Sequence, residues 1–301
     1  LKIYQDQKIF QLSKKNLLID RTKKNNYLLN MINKIKNLIK NYYNNTYFFS
    51  FLLLKPRPNK NWDSNEYSSS HLKKKGEEYH KKFISFEGRA ILWNLEKKIL
   101  LNFLKEKKLI SHLDFASGSG RIAILLREFF KDQYLLDVSK SMAQVNKEEL
   151  KNSKIIIEDF RNKDPLKDKK FDLITAFRFF PNAEPDLRKK ALKYLSDHIK
   201  DNGYIILNNH RNFWSIPFSL GRLLFLSDGF GMTHKEIDNL LDKNNLRLIK
   251  FFSIGLFTAR EKSKIIPWNI IRLMENLFFK AFKGKHKLGY NVIYILKKKH
   301  D

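Results

Sequence analysis

The chain has 301 residues, with 59 Lys and Arg against 31 Asp and Glu, a formal charge of +28. At 43% apolar and 14% aromatic residues it can bury a sizeable core, which excludes a chain disordered throughout. The absence of cysteine excludes disulfides, thiolate-bound zinc, iron–sulfur clusters and thiol nucleophiles, and fits a reducing, cytoplasmic compartment.

The charge is concentrated at the two ends. Residues 1–60 carry net +11 and residues 250–301 net +9, leaving +8 for the long middle. Such a surplus suits nucleic acid, anionic lipid or acidic substrates. A lysine bias from AT-rich coding would supply it equally well. Residues 1–26 are polar and weakly patterned, and Met31 is an alternative start to Leu1. Leu28, Met31, Ile32, Ile35, Leu38 and Ile39 then recur at steps of three and four with lysines between them, which predicts a basic amphipathic helix. Lys55-Pro56-Arg57-Pro58 ends it, and 59–72 reads as a loop. The longest apolar run here, Tyr47 to Leu54, is too short to cross a membrane. This divides the chain into a basic extension over 1–75, partly helical or mobile, and a domain over 76–301.

Helices are predicted over 77–83 and 88–107, the second striped by Ile91, Leu92, Leu95, Ile99, Leu100 and Phe103. The rhythm then becomes strand and helix in turn. Strands are expected at 112–115, 134–137, 154–157, 171–177 and 204–208, with helices at 121–130, 141–151 and 186–199. That alternation predicts an α/β fold, a mostly parallel sheet covered by helices on both faces. Further on, Thr233 and Glu236 fit a capping box for a helix to about residue 242. Strands at 246–254 and 290–296 bring the total to seven, with a helix over 265–282 between them. The last strand follows no crossover helix, so it pairs antiparallel, at the sheet edge or as an insert.

Chemistry gathers where the first strand ends. Leu113-Asp114-Phe115-Ala116-Ser117-Gly118-Ser119-Gly120 runs from strand through a glycine turn into a helix. Glycines there allow positive φ and close backbone approach to a ligand. Asp137 ends the second strand and Asp159 follows the third, so three carboxylates share the carboxyl edge of a parallel sheet, where such sheets bind ligands. No third glycine completes a pyrophosphate-binding turn, and no Gly-Lys-Ser/Thr follows, which argues against dinucleotide enzymes and NTPases.

These residues resemble class I, Rossmann-like S-adenosylmethionine-dependent methyltransferases over about residues 76–210. The resemblance implies a seven-stranded Rossmann-like sheet with a terminal antiparallel strand, extra N-terminal helices, and S-adenosylmethionine as cofactor. It implies that Asp114, Ala116, Ser117, Gly118 and Gly120 hold the methionine part, Asp137 the ribose, and Val138 and Met142 the adenine. Asp159 would approach the adenine amino group, with Phe160 beside it, and Phe177 is a further cofactor-binding candidate. Tyr79 and Arg89 match positions that close over the methionine carboxylate. Ala116 departs from the family pattern, standing where glycine is usual.

The acceptor site is expected on the loops after the fourth and fifth strands. Amino-directed nucleic-acid methyltransferases carry Asn/Asp-Pro-Pro-aromatic after the fourth; here that position begins Ala176-Phe177-Arg178. The missing cysteine also removes the cytosine-C5 route. The segment Arg178 to Pro185, taken with Asn208-Asn209-His210-Arg211, resembles a bacterial group of methyltransferases associated with surface polysaccharides and small metabolites. His210 and Arg178 are the catalytic candidates, the first as a base and the second to orient the acceptor. Glu184, Asn209 and Arg211 are second candidates, and His198 is expected to be solvated. The expected function is methyl transfer to a small-molecule or sugar- or lipid-linked acceptor. The alternative is an RNA methyltransferase whose basic ends grip phosphates. No metal is expected. Asn269, Arg272, Asn276, Lys280 and Lys283 form a narrow polar stripe on a broad apolar helix. Residues 258–288 are therefore expected to be either a lid helix over the acceptor site or an insertion touching the inner membrane face.

Overall fold

The computed structural model describes residues 86–223, 231–257 and 266–299. The predicted helices over 28–39 and 77–83, Tyr79, and the 258–265 part of the expected insertion lie outside them.

Helix α1 (Glu87–Leu104) turns its predicted stripe inward, burying Ile91, Leu95, Ile99, Leu100 and Leu104. The chain then alternates through β1 (Ser111–Phe115), α2 (Arg121–Leu126), β2 (Asp132–Asp137), α3 (Lys140–Ala143), β3 (Lys154–Ile157), β4 (Phe171–Ala176), α4 (Pro185–His198) and β5 (Ile199–Asn209). It continues as α5 (Ile216–Leu223), α6 (His234–Asp242), β6 (Leu246–Ile254), α7 (Trp268–Phe282) and β7 (Asn291–Lys298). The strands form one seven-stranded sheet in the order β3-β2-β1-β4-β5-β7-β6. β7 pairs antiparallel with both β5 and β6, while β1 to β5 pair in parallel. The last strand is thus an insert between its neighbours, the second of the two placements its sequence allowed.

Alternating side chains send each strand into two cores. On one face Val292, Tyr294 and Leu296 of β7 join Leu113, Phe115, Ile174 and Leu207, under Leu187, Leu192 and Leu195 of α4 and Ile237 and Leu241 of α6. On the other, Ile293 and Ile295 join Leu173 and Ile206, under α1 and Ile122 and Leu126 of α2. With both faces covered, β4 and β7 are buried along most of their length. The Thr233–Glu236 capping box opens α6 as expected. The order of strands reverses between β1 and β4, and that reversal opens a crevice at their carboxyl ends.

Three elements differ from expectation. The helix predicted over 141–151 stops at Ala143, because the Asn146 amide donates to the Ser119 carbonyl at 2.8 Å and turns the chain toward the glycine loop. Helix α5 lies where no element was predicted. In α7 only Ile271 and Glu275 are buried, and Leu273 and Leu277 are 59% and 56% exposed. The Glu275 carboxylate accepts from the backbone N–H groups of Gly255 and Phe257, at 3.2 and 2.7 Å. Lys98 of α1 donates to Asn276, and Arg272 lies 3.7 Å from Glu87. The helix therefore packs along α1, and none of its residues lines the crevice. No helix among the described residues is long and apolar enough to cross a membrane.

Candidate functional site

The glycine turn is a run of alternate left-handed residues: Ala116 at φ 51°, Gly118 at 57° and Gly120 at 76°. A β-carbon on Gly120 would collide with the Leu150 side chain, and one on Gly118 would sit 3.1 Å from Met142 Cε. Ala116 keeps its β-carbon in a conformation that suits glycine, which gives a backbone reason for the usual family residue. Ser117 N–H donates to the Leu136 carbonyl and Gly120 N–H to the Ser117 carbonyl, which pins the turn against β2.

Asp137, at the end of β2, accepts from Gly118 N–H at 2.7 Å and Ser139 N–H at 2.8 Å. Burial pushes its carboxyl up, and those backbone bonds oppose the rise. Asp114 is more deeply placed, at 2% exposure. It accepts from Thr175 Oγ1 at 2.8 Å and from Ala123 N–H at 3.2 Å, and burial raises it to about 7. Because the Thr175 hydrogen goes to Asp114, the hydroxyl oxygen receives His112 Nε2–H, 2.8 Å away. His112 Nδ1 is left to accept from the Gln133 amide at 3.1 Å. A buried polar ladder thus crosses β2, β1 and β4 beneath the turn, and burial depresses His112 to about 3, so its ring is neutral.

Asp159 is taken up by a residue that sequence reasoning missed. Arg161 Nε lies 2.9 and 3.0 Å from its two oxygens, and this pairing holds the carboxyl below its ordinary value. The signal was the Asp-x-Arg spacing. Phe160 stacks edge-on against Phe115, with centroids 5.3 Å apart. These residues border a cleft of about 1120 Å³, its open mouth included. The structure brings to this cleft Asp114, Ala116, Ser117, Gly118, Asp137, Val138, Met142, Asp159, Phe160, Phe177 and Arg178 of the expected set. Arg121, Arg161, Phe179 and Asn182 line it too and were not anticipated as walls. Gly120 stands behind it as the cap of α2, and Arg89 on α1 and His210 are not among its lining residues.

On the β4 side, Arg178 takes a left-handed backbone at φ 62°. Its N–H donates to Asn208 Oδ1 at 2.6 Å. Asn208 donates in turn to Asn291, Asn291 to Glu96, and Glu96 pairs with Arg121 at 2.6 Å. This buried chain joins the head of α2 to the loop after β4 through β5, β7 and α1. The Arg121 guanidinium also lies 4.1 Å from the Trp93 ring centroid. The loop itself hangs on Arg188, 3% exposed, which donates to the Ala183 carbonyl at 2.8 Å and reaches that of Pro181.

His210 follows β5 at 3% exposure, and neither ring nitrogen has a hydrogen-bond partner. Burial lowers its pKa well below the ordinary value, and Arg178, Arg211, Arg121 and Arg89 add to the effect. Two other expectations are corrected. Asn209 is consumed structurally, donating to the Met232 carbonyl and accepting from Arg211 N–H. His198 is buried rather than solvated: it ends α4, and its ring is held by the Tyr194 and Lys167 carbonyls at 2.8 and 3.0 Å.

Residues 113–207, from β1 to β5, match a family model described as a methyltransferase domain. No curated protein matches the chain. Among solved structures, a Thermotoga maritima S-adenosylmethionine-dependent methyltransferase, described as a possible histamine N-methyltransferase, is 20% identical. The match covers 74% of this chain and 95% of that one, at a TM-score of 0.50, and the likeness is one of fold. A methyltransferase from Clostridium acetobutylicum is 17% identical over 68% and 91% of the two chains, at TM-score 0.48. One from Archaeoglobus fulgidus is 17% identical over 73% and 98%, at 0.47.

Proposed function

We propose that the chain is a class I S-adenosylmethionine-dependent methyltransferase that methylates a small-molecule or sugar- or lipid-linked acceptor, a reading supported by the methyltransferase-domain match over residues 113–207. The observation that carries this is the single cleft that has the glycine turn and Asp137 on one side of the strand reversal and Arg178 on the other. The donor set suits the cofactor. Ala116, Ser117 and Gly118 carry small side chains or none, which lets the methionine part approach the turn closely, and Asp137 has lone pairs to spare for ribose hydroxyls. Val138 and Met142 present apolar surface to adenine. Asp159 would take the adenine amino group while still paired to Arg161, with Phe160 alongside. Bound there, S-adenosylmethionine supplies an electrophilic methyl group on a sulfonium.

The chain's own residues position and desolvate. Asp114, spent on Thr175 and Ala123, fixes the shape of the turn. Phe177 walls the cleft from water. Arg178, held left-handed by Asn208, orients the acceptor, and His210 is a neutral imidazole able to take a proton from it. The apolar residues that α7 exposes, Ile270, Leu273, Leu277 and Phe282, support the lipid-linked form of the acceptor, with the 258–288 insertion touching the membrane face.

Calorimetry on the full chain tests this. S-adenosylmethionine should bind, and Asp137→Ala should weaken it at least about tenfold, since the carboxylate both meets the ligand and clamps Gly118. Undetectable binding by the folded chain refutes the proposal. RNA retention that falls steeply with salt, with no retention by anionic liposomes, would favour RNA as acceptor instead.

A further inference from the structure

Exposed apolar side chains are normally scattered singly, and here they gather. Most of the large ones exposed among the described residues fall in two stretches, 214–220 and 266–288. In α7, Ile270, Leu273 and Leu277 stand at steps of three and four, so they form one exposed stripe along the helix. In α5, Ile216 and Leu220 repeat that spacing, with Trp214 just before the helix. The Ile216 N–H donates to the Leu288 carbonyl at 2.9 Å, and Leu288 is itself exposed. Only the loop 283–287 separates Leu288 from Phe282 at the end of α7. Both limbs stand at the carboxyl edge of the sheet, where the cleft opens. There Asn209, which ends β5, pairs with Val292, and Ile254, which ends β6, pairs with Asn291. Trp214 follows the first of these ends, and Glu275 of α7 holds Gly255 and Phe257 just past the second.

The polar surroundings of these limbs are basic. Residues 211–223 contain no acid, and the only carboxylate within 266–299 is the buried Glu275. Lys280, Lys283, Lys285 and Lys287 are exposed beside the apolar residues. A second copy of this face would set lysine against lysine, which disfavours self-association. A bilayer answers both features, because aliphatic side chains enter its acyl region while lysines reach its phosphates on long stems. We propose that α7 and the corner formed by α5 and Leu288 are two limbs of one docking surface for an anionic lipid bilayer, which holds the mouth of the cleft against the headgroups. This rests on the membrane contact proposed above and adds its second limb, its charge requirement and the side of the molecule that faces the lipid. An acceptor anchored in that bilayer is thereby brought to the edge that carries Phe177 and Arg178.

The test uses the full chain with vesicles of phosphatidylcholine alone and with about 30% phosphatidylglycerol. The anionic vesicles should be bound at least about tenfold more tightly than the neutral ones. Leu273→Glu with Leu277→Glu on one limb, and Leu220→Glu on the other, should each weaken that binding at least about tenfold. All three positions are exposed, so these variants should keep the parent's unfolding midpoint and its affinity for S-adenosylhomocysteine. The midpoint reports the fold, and the affinity reports the cofactor site separately from the docking surface. Brominated acyl chains should quench the part of the fluorescence that Trp214→Phe removes. No preference for anionic vesicles overturns the proposal. So does binding untouched by the α7 pair, which would then belong to the basic stretch 1–75. Binding unchanged in Leu220→Glu, or Trp214 left unquenched, overturns the second limb and with it the placement of the cleft. Self-association without vesicle binding, abolished by the α7 pair, would make the face an interface between copies instead.

Discussion

His112 and Asp114 are joined through Thr175, and burial moves their proton affinities in opposite directions. Asp114 is raised from 3.8 to about 7, so between those values the folded chain holds a proton that the unfolded chain has lost. That contribution to stability falls as pH rises. His112 is lowered from 6.5 to about 3, so over that range the unfolded chain holds the extra proton, and its contribution grows as pH rises. Each slope is about 1.4 kcal/mol per pH unit, with opposite sign, and the two windows overlap over most of their length. The pair is therefore nearly silent in a stability–pH curve. His112→Asn keeps a donor and an acceptor for Thr175 and Gln133 but removes one slope. From about pH 4.5 to about pH 6.0 the stability difference, parent minus variant, should widen by about 2 kcal/mol. Urea unfolding at four pH values in that window, with matching m-values, measures it, and groups common to both chains cancel. A difference that stays constant with pH would refute the buried-neutral assignment of His112.

Gly120→Ala places a β-carbon against Leu150 at φ 76° and should cost roughly 2–4 kcal/mol in chemical denaturation. A loss below about 1 kcal/mol would mean that the turn is laxer than described. Ala116→Gly relieves a left-handed β-carbon but adds freedom to the unfolded chain, so melting should change by less than about 1 kcal/mol, toward stabilisation. A clear destabilisation would contradict the left-handed assignment. Arg188→Met leaves the Ala183 and Pro181 carbonyls without their donor and should cost about 2–4 kcal/mol, read by thermal unfolding; an unchanged midpoint would show that the loop stands without it.

What was legible in the sequence was local. The glycine turn, Asp114, Asp137 and Asp159 announce themselves because a strand, a turn and a helix leave a continuous signature of about ten residues. Short apolar runs between helical stretches marked the strands, and Thr233 with Glu236 gave a helix start. What was hidden depends on partners distant in the chain. Arg161 claims Asp159 through a side-chain geometry that spacing alone does not decide. His198 sits among polar neighbours yet meets the Lys167 carbonyl 31 residues away. The Arg121–Glu96–Asn291–Asn208 chain joins four elements, and no one of them reveals it. In α7 the buried Glu275 accepts from Gly255 and Phe257 while Leu273 and Leu277 stay exposed, a facing that its apolar positions alone do not foretell.

The central place of β7 has a consequence for biosynthesis. Every other strand of the sheet is made before it, yet β5 and β6 have no direct ladder and meet only through it. Until residues 291–298 leave the ribosome, the nascent sheet has an open edge on β5, and β6 has no partner strand. Both are templates for pairing with a neighbouring chain. A chain cut short before β7 leaves both edges unpaired and is expected to aggregate rather than to form a smaller enzyme.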